Sequence, residues 1–205
     1  MIGSSFWAQG NELIDLKKFF QNELEDHAKV LSHTAQALEE PFVELVELCF
    51  NCIRNKNKIM FVGNGGSAAD AQHLSTELTV RFSVNREAIA ALALTTDTST
   101  ITAIGNDLGF DKIFARQIEA VGKKGDVLIV ISTSGSSPNV IEAANQAVLQ
   151  GISVASLTGA SGGKIASIAK PVLCVPSSTT ARIQEMHITL GQMLCNAIEH
   201  RLGVI

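Results

Sequence analysis

This sequence predicts an α/β fold, a parallel β-sheet covered by helices on both faces. Three observations carry that expectation. Short, nearly continuous apolar runs such as Val127–Ile131 and Val172–Val175 alternate with longer segments of helical periodicity. Strands that are apolar throughout belong to sheets buried on both sides, and strands bounded by helices pair in parallel. Two of the runs pass directly into loops rich in glycine or serine that open a helix. In open α/β sheets ligands sit at the carboxyl ends of strands, where both loops lie.

From Leu13 to about Leu38 apolar residues recur at 13, 16, 20, 24, 28, 31, 35 and 38. Steps of three and four predict an amphipathic helix, one long or two broken. Pro41 is expected to interrupt it. A second helix is expected from Phe42 to Arg54, with Phe42, Leu45, Val46, Cys49 and Ile53 on one face. These helices need an apolar partner, and both the sheet and a subunit interface suit them. Lys58–Val62 then reads as a strand and Ser67–Phe82 as a helix. Ala88–Leu94 is a strand, followed by helical segments at Thr98–Ile104 and Asp111–Val121. The strand Val127–Ile131 precedes a helix at Pro138–Gln150. The strand Ile152–Leu157, a short helix at Lys164–Ile168, the strand Val172–Val175 and a helix at Ala181–Leu202 complete the reading. Residues 1–56 are thus an N-terminal helical segment of the same domain as 57–205. No internal repeat, linker or low-complexity tract interrupts the order.

The 205 residues, 46% hydrophobic and 18% charged, suit one domain with a large core. A net charge of −4 argues against direct binding along nucleic-acid phosphates. Arg54, Lys56 and Lys58 do cluster, in a pattern that fits a helix C-terminus entering a turn. The first thirty residues are polar and amphipathic, unlike a signal peptide. No apolar run is long enough to span a bilayer, so a cytoplasmic location without membrane contact is expected. Cys49, Cys52, Cys174 and Cys195 fit reduced thiols there. Cys49 and Cys52 form a C-x-x-C, but inside a helical pattern and without a second pair, which favours packing over redox or zinc chemistry.

Gly63-Asn-Gly-Gly-Ser67 joins a strand to a helix. Glycines permit positive φ and close backbone approach, and the helix start offers free N–H groups to an anion. A tight βα turn with Ser67 as N-cap is the alternative. The loop is neither G-x-G-x-x-G nor a Walker loop, which disfavours a nucleotide. Ser132, Thr133, Ser134, Ser136 and Ser137 crowd a second strand-to-helix loop ending at Pro138, a residue suited to a first helical turn. Hydroxyls with helix N–H groups can hold a phosphate dianion without lysine, and a hydroxyl-rich N-cap region is the plainer reading. His73 and Glu77, at i and i+4, share one helix face. They can bind a metal or substrate, or simply be solvated. Gln184, Ile188 and Gln192 line one face of the last helix, where an amide can coordinate a metal, bond a sugar hydroxyl or decorate the surface.

These segments together resemble the sugar isomerase (SIS) domain, and within it the phosphoheptose isomerases. The likeness rests on Gly63-Asn-Gly-Gly-Ser-Ala-Ala-Asp-Ala-Gln-His73, Glu77-Leu78, Gly105-Asn-Asp-Leu-Gly-Phe110, Gly125-Asp-Val-Leu128, Ile131-Ser-Thr-Ser-Gly135, Leu157-Thr-Gly159 and Arg182-Ile-Gln-Glu185. It implies a three-layer fold with a five-stranded parallel sheet, N-terminal helices for oligomerisation, and a homotetramer with active sites between subunits. It implies interconversion of sedoheptulose 7-phosphate and D-glycero-D-manno-heptose 7-phosphate, on the way to the heptose of lipopolysaccharide or other bacterial surface polysaccharide. Asn64, Gly65, Gly66, Ser67, Asn106, Asp107, Ser132, Thr133, Ser134, Ser137 and Gln184 would contact the phosphosugar. His73, Glu77 and Gln184 match zinc-ligand positions, one zinc per subunit, and Glu77 also matches a proposed acid–base. The family's histidine ligand and acid–base, two turns after the glutamine of R-I-Q-E, is here Gln192. An amide can still be a weak oxygen ligand but does not titrate. His187, one turn earlier, reads as buried or interfacial. A sister branch with the same A-R-I-Q-E-M-H stretch lacks that histidine and binds the replication initiator DnaA. A non-catalytic regulator of replication is therefore the alternative expectation.

Overall fold

The computed structural model of the chain describes residues 14–159 and 161–205. Helix α1 (Leu16–Ala37) begins behind Asp15, whose carboxylate accepts hydrogen bonds from the backbone N–H groups of Lys17 and Lys18. That satisfies two of the donors a helix start leaves free. Leu13, where the helical periodicity begins, lies outside the described residues. Helix α2 (Glu39–Arg54) follows after Leu38 alone. Pro41 was expected to precede this helix, but it sits within the first turn. Backbone N–H groups there have no intrahelical acceptor, so the ring removes no hydrogen bond.

Strand β1 (Ile59–Gly63) leads into α3 (Gly66–Thr79), and β2 (Ala91–Ala93) into α4 (Thr98–Asp107). A 3-10 turn at Phe110–Lys112 and α5 (Ala115–Val121) precede β3 (Val127–Ser132) and α6 (Pro138–Leu149). Then come β4 (Ser153–Gly159), a 3-10 turn at Lys164–Ser167, β5 (Val172–Val175) and α7 (Thr180–Arg201). The sheet has five strands, all parallel, in the order β2-β1-β3-β4-β5.

The helix expected over Ser67–Phe82 ends at Thr79 and that over Thr98–Ile104 runs on to Asp107, and two further elements differ more. The strand expected over Ala88–Leu94 contracts to three residues. Among the described residues it is an edge strand paired only with β1, and the N–H of Ile89 goes instead to the Leu78 carbonyl at the end of α3. The helix expected over Asp111–Val121 is divided, because Lys112 and Ile113 donate to the carbonyls of Gly109 and Phe110 and close a tight turn first.

Successive strand residues point to opposite faces of the sheet. Ile59, Phe61, Val127, Ile129, Ile131 and Leu157 join the core shared with α1, α2, α3 and α7. Met60, Val62, Leu128 and Val130 join a second core with Ile104, Phe114, Ile118 and Val140. Each such fully buried side chain contributes about 1.5–3 kcal/mol. Val30, Leu38, Leu45 and Cys49 bring α1 and α2 into the first core. Helix α1 nevertheless leaves Leu16, Phe19, Phe20 and Leu24 more than half exposed. Among the described residues no helix is long and apolar enough to cross a membrane.

From the β1–β3 pair the sheet grows outward in both directions, which opens a crevice at the carboxyl ends of these two strands. Gly63 pairs with Ile131 in register, so the glycine loop and the serine loop emerge side by side.

Candidate active site

The glycine loop turns at Gly65, with φ +56° and ψ −121°, a backbone open to glycine and strained for other residues. Gly65, not Ser67, is the N-cap of α3. Ser67 is already inside the helix, buried, and its N–H bonds the Asn64 carbonyl. It packs on Gly63, where a Cβ would lie 2.7 Å from the Ser67 carbonyl oxygen. The substrate contact expected of Ser67 therefore falls on a side chain in the floor of the loop. Among the described residues the N–H groups of Gly65 and Gly66 have no backbone acceptor, leaving donors for an anion at the positive end of α3.

Asn64 is fixed by a residue that the sequence did not single out. Its carboxamide and that of Asn139 exchange two hydrogen bonds, each 2.9 Å. Asn139 is buried in the first turn of α6, so the pair ties the glycine loop to the serine loop. Within the serine loop, the Ser132 hydroxyl accepts from the N–H of Gly135 and the Ser134 hydroxyl from that of Ser136. Ser137 is the N-cap of α6 with its hydroxyl uncommitted to the helix, and Pro138 is in the first turn, as expected. Gly135 has φ +59°, and a Cβ there would overlap the carbonyl of Gly162. The Thr133 carbonyl accepts from the N–H of Gly159 at 3.1 Å. These backbone contacts brace a half-exposed row of hydroxyls at Thr133, Ser134 and Ser137.

Gln184 comes to the same place from α7. A Cβ on Gly66 would sit 2.7 Å from Gln184 Nε2, so the amide rests on the glycine loop. Further along, Gly191 lies against Leu74 and Gln192 against His73. Contacts advance together along both helices, so α3 and α7 run parallel. His73 Nε2 is 3.2 Å from Glu77 Oε1 and 3.4 Å from Gln192 Nε2. The cluster is open to solvent, with the His73 side chain 45% and that of Glu77 24% exposed. Asp70, on the same stripe between Gly66 and His73, is a second residue that sequence reasoning missed. Among the described residues its Oδ2 is buried without a hydrogen-bond partner, and burial raises its pKa, partly offset by the charge of His73. Asn106 and Asp107 bond each other at 2.8 Å at the end of α4. Among the described residues neither bonds either loop. His187 is fully buried, as expected, and takes no part in the cluster.

His73 and Glu77 supply one imidazole nitrogen and one carboxylate oxygen, both ligands that zinc accepts, and the Gln192 amide oxygen beside them would be a weaker one. Among the described residues no three His, Cys, Asp or Glu side chains gather to hold a metal. His73 and Glu77 nevertheless already face each other with Gln192 beside them, and one turn away lies a buried Asp70 oxygen that has no hydrogen-bond partner among the described residues. His73 and Glu77 thus fit the ion with Gln192 beside them, while the Gln184 amide rests on Gly66, about two helical turns nearer the glycine loop.

The sugar isomerase (SIS) domain family matches residues 24–159. A phosphoheptose isomerase of Paramagnetospirillum magneticum is 53% identical over 181 residues, 88% of this chain and 94% of the relative. One from Helicobacter pylori is 46% identical over 183 residues, 89% and 95% of the two chains. The solved structure of the Neisseria gonorrhoeae phosphoheptose isomerase superposes with a TM-score of 0.86 at 46% identity, covering 90% of this chain and 99% of that one. The Francisella tularensis enzyme gives 0.87 at 36% identity, covering 92% and 100%. With the crevice, its two loops and the His73–Glu77 pair in the places described, this chain belongs to the SIS-domain family, among its phosphoheptose isomerases.

Proposed function

We propose that this chain interconverts sedoheptulose 7-phosphate and D-glycero-D-manno-heptose 7-phosphate, supplying heptose for lipopolysaccharide or other surface polysaccharide. One observation carries the reading. Glu77, a partly buried carboxylate, is held 3.2 Å from His73 on the helix that opens with the anion-cradling glycine loop. The serine loop and the N-termini of α3 and α6 bind the phosphate through hydroxyls and N–H groups. Asn64, Gln184, Asn106 and Asp107 meet the sugar hydroxyls.

In the ketose-to-aldose direction Glu77 takes a proton from C1. The electron pair freed becomes the C1=C2 bond, and the C2 carbonyl oxygen gains a proton to give the enediol. Glu77 returns its proton to C2 while the O1 hydroxyl loses one and C1 becomes the carbonyl. Gln192 does not titrate, so water carries the oxygen-bound proton and the amide only orients it. A zinc ion held by His73, Glu77, Gln184 and Gln192 would polarise the two oxygens.

Assembly as a homotetramer is supported by the exposed Leu16, Phe19, Phe20 and Leu24 of α1 and by the openness of the cluster to solvent. The four free thiols suit a cytoplasmic setting. The alternative, a non-catalytic partner of DnaA, rests on Gln192 alone and gains no observation of its own.

The test is turnover of sedoheptulose 7-phosphate by the wild type, with and without zinc, beside Gln192→His. Wild-type turnover, raised by Gln192→His, is the expected outcome. A silent wild type with an active Gln192→His would mean a pocket that has lost its acid–base and would favour the regulator. Silence in both would sink the substrate assignment.

A further inference from the structure

Buried beneath the far end of the site is an ion pair that the reaction above does not use. The side chains of Arg86 and Glu199 are 3% and 0% exposed, and Arg86 Nε donates to Glu199 Oε1 at 2.9 Å. The two terminal nitrogens of Arg86 point the other way. Nη2 donates to the carbonyl of Glu77 at 2.9 Å, and Nη1 to that of Leu78 at 2.9 Å. Carbonyls of the last helical turn have no partner within the helix, and a cation there also meets the negative end of the helix dipole. Arg86 therefore caps α3 at the residue that carries the carboxylate.

Glu199 lies on α7, two turns beyond Gln192. Besides Arg86 it accepts from the N–H groups of Phe82, Ser83 and Val84 and from the Ser83 hydroxyl at 2.6 Å. Burial alone would raise its pKa, but these bonds hold the carboxylate down at about 2, charged throughout the working range. The chain Glu77 carbonyl–Arg86–Glu199 thus links α3 to α7 just past the point where His73 meets Gln192.

We propose that Arg86, oriented by Glu199, is a positioning residue for Glu77, setting its carboxylate against His73 and Gln192 without touching substrate. The proposal rests on the isomerase reading above. Lysine keeps the charge at position 86 but not the planar fork that serves four acceptors at once, the carboxylate of Glu199 and the carbonyls of Glu77, Leu78 and Glu87. Arg86→Lys should lower kcat about 10-fold and Arg86→Gln about 100-fold, the range typical of outer partners that orient a site. KM for the phosphosugar should stay within about threefold, because phosphate binding belongs to the loops at the other end of α3. Amide hydrogen exchange in residues 76–80 should quicken in both variants while the first turn of α3 is unchanged.

Ile118→Val, in the core on the opposite face of the sheet, is the control for lost stability and should keep kcat. Arg86→Lys guards against a failure of Arg86→Gln to fold. The idea is overturned by an unchanged kcat in the Arg86 variants, by unchanged exchange in residues 76–80, or by KM rising as kcat falls. A silent wild type would bring down the isomerase reading and this inference with it. An active wild type with indifferent variants would bring down this inference alone.

Discussion

Acid should destabilise this fold through one histidine. His187 is fully buried on α7, and among the described residues neither ring nitrogen has a well-formed hydrogen bond. Burial disfavours the charged ring and the backbone of Thr158 only partly offsets it, so the pKa falls from 6.5 to about 4. The sign follows from which state binds the proton first. Above 6.5 the ring is neutral in both states and the fold keeps its full stability. Between 6.5 and 4 the unfolded chain is protonated and the folded one is not, so stability falls as pH falls. At 1.36 kcal/mol per unit the whole interval is worth about 3 kcal/mol, of which about 2 is lost by pH 5. Urea unfolding from pH 8 to pH 4.5, at fixed protein concentration, measures it. His187→Leu should remove this part of the slope. It should be nearly neutral at pH 8, because it deletes two unsatisfied nitrogens in a site that takes an apolar group of similar size. If wild type and His187→Leu lose stability in parallel between pH 6.5 and 5, His187 is not the buried neutral ring described here.

Three further outcomes follow from the geometry. Glu77→Gln should cut kcat by about 10²–10⁴, as expected for loss of the group that moves the carbon-bound proton, with phosphosugar binding retained in calorimetry. Gly135→Ala should destabilise the fold by about 1–3 kcal/mol in thermal or urea unfolding, since it adds a left-handed non-glycine residue and a clash with the Gly162 carbonyl. Asn139→Ala leaves the Asn64 amide without its partner, so it should cost about 1–3 kcal/mol and raise KM, measured by urea unfolding and steady-state kinetics.

Much of this architecture was legible from periodicity because strands buried on both faces cannot hide their composition. Val127–Ile131 is the clear case: five successive buried apolar residues alternate between two cores. Edge strand β2 was overread, since an apolar run does not reveal that Ile89 bonds a helix end rather than a neighbouring strand. Pro41 was misjudged because proline breaks a helix interior but not its first turn. Local spacing found His73 with Glu77, one helical turn apart. It could not find Asn139, whose partner is 75 residues away and becomes a neighbour only through the β1–β3 pairing. Arg86 was hidden for the same reason, its bond to Glu199 spanning 113 residues. The alternative reading of Ser67 as helix cap does not hold, because Gly65, at positive φ, takes that place.

The reciprocal Asn64–Asn139 pair sets an order of events during synthesis on the ribosome. The glycine loop is made well before its brace, and Gln184 and Gln192 follow later still. A nascent chain released early carries β1, α3 and the His73–Glu77 pair but neither the strut that shapes the loop nor the amides that face it. The site is thus complete only once α7 has been made and packed beside α3.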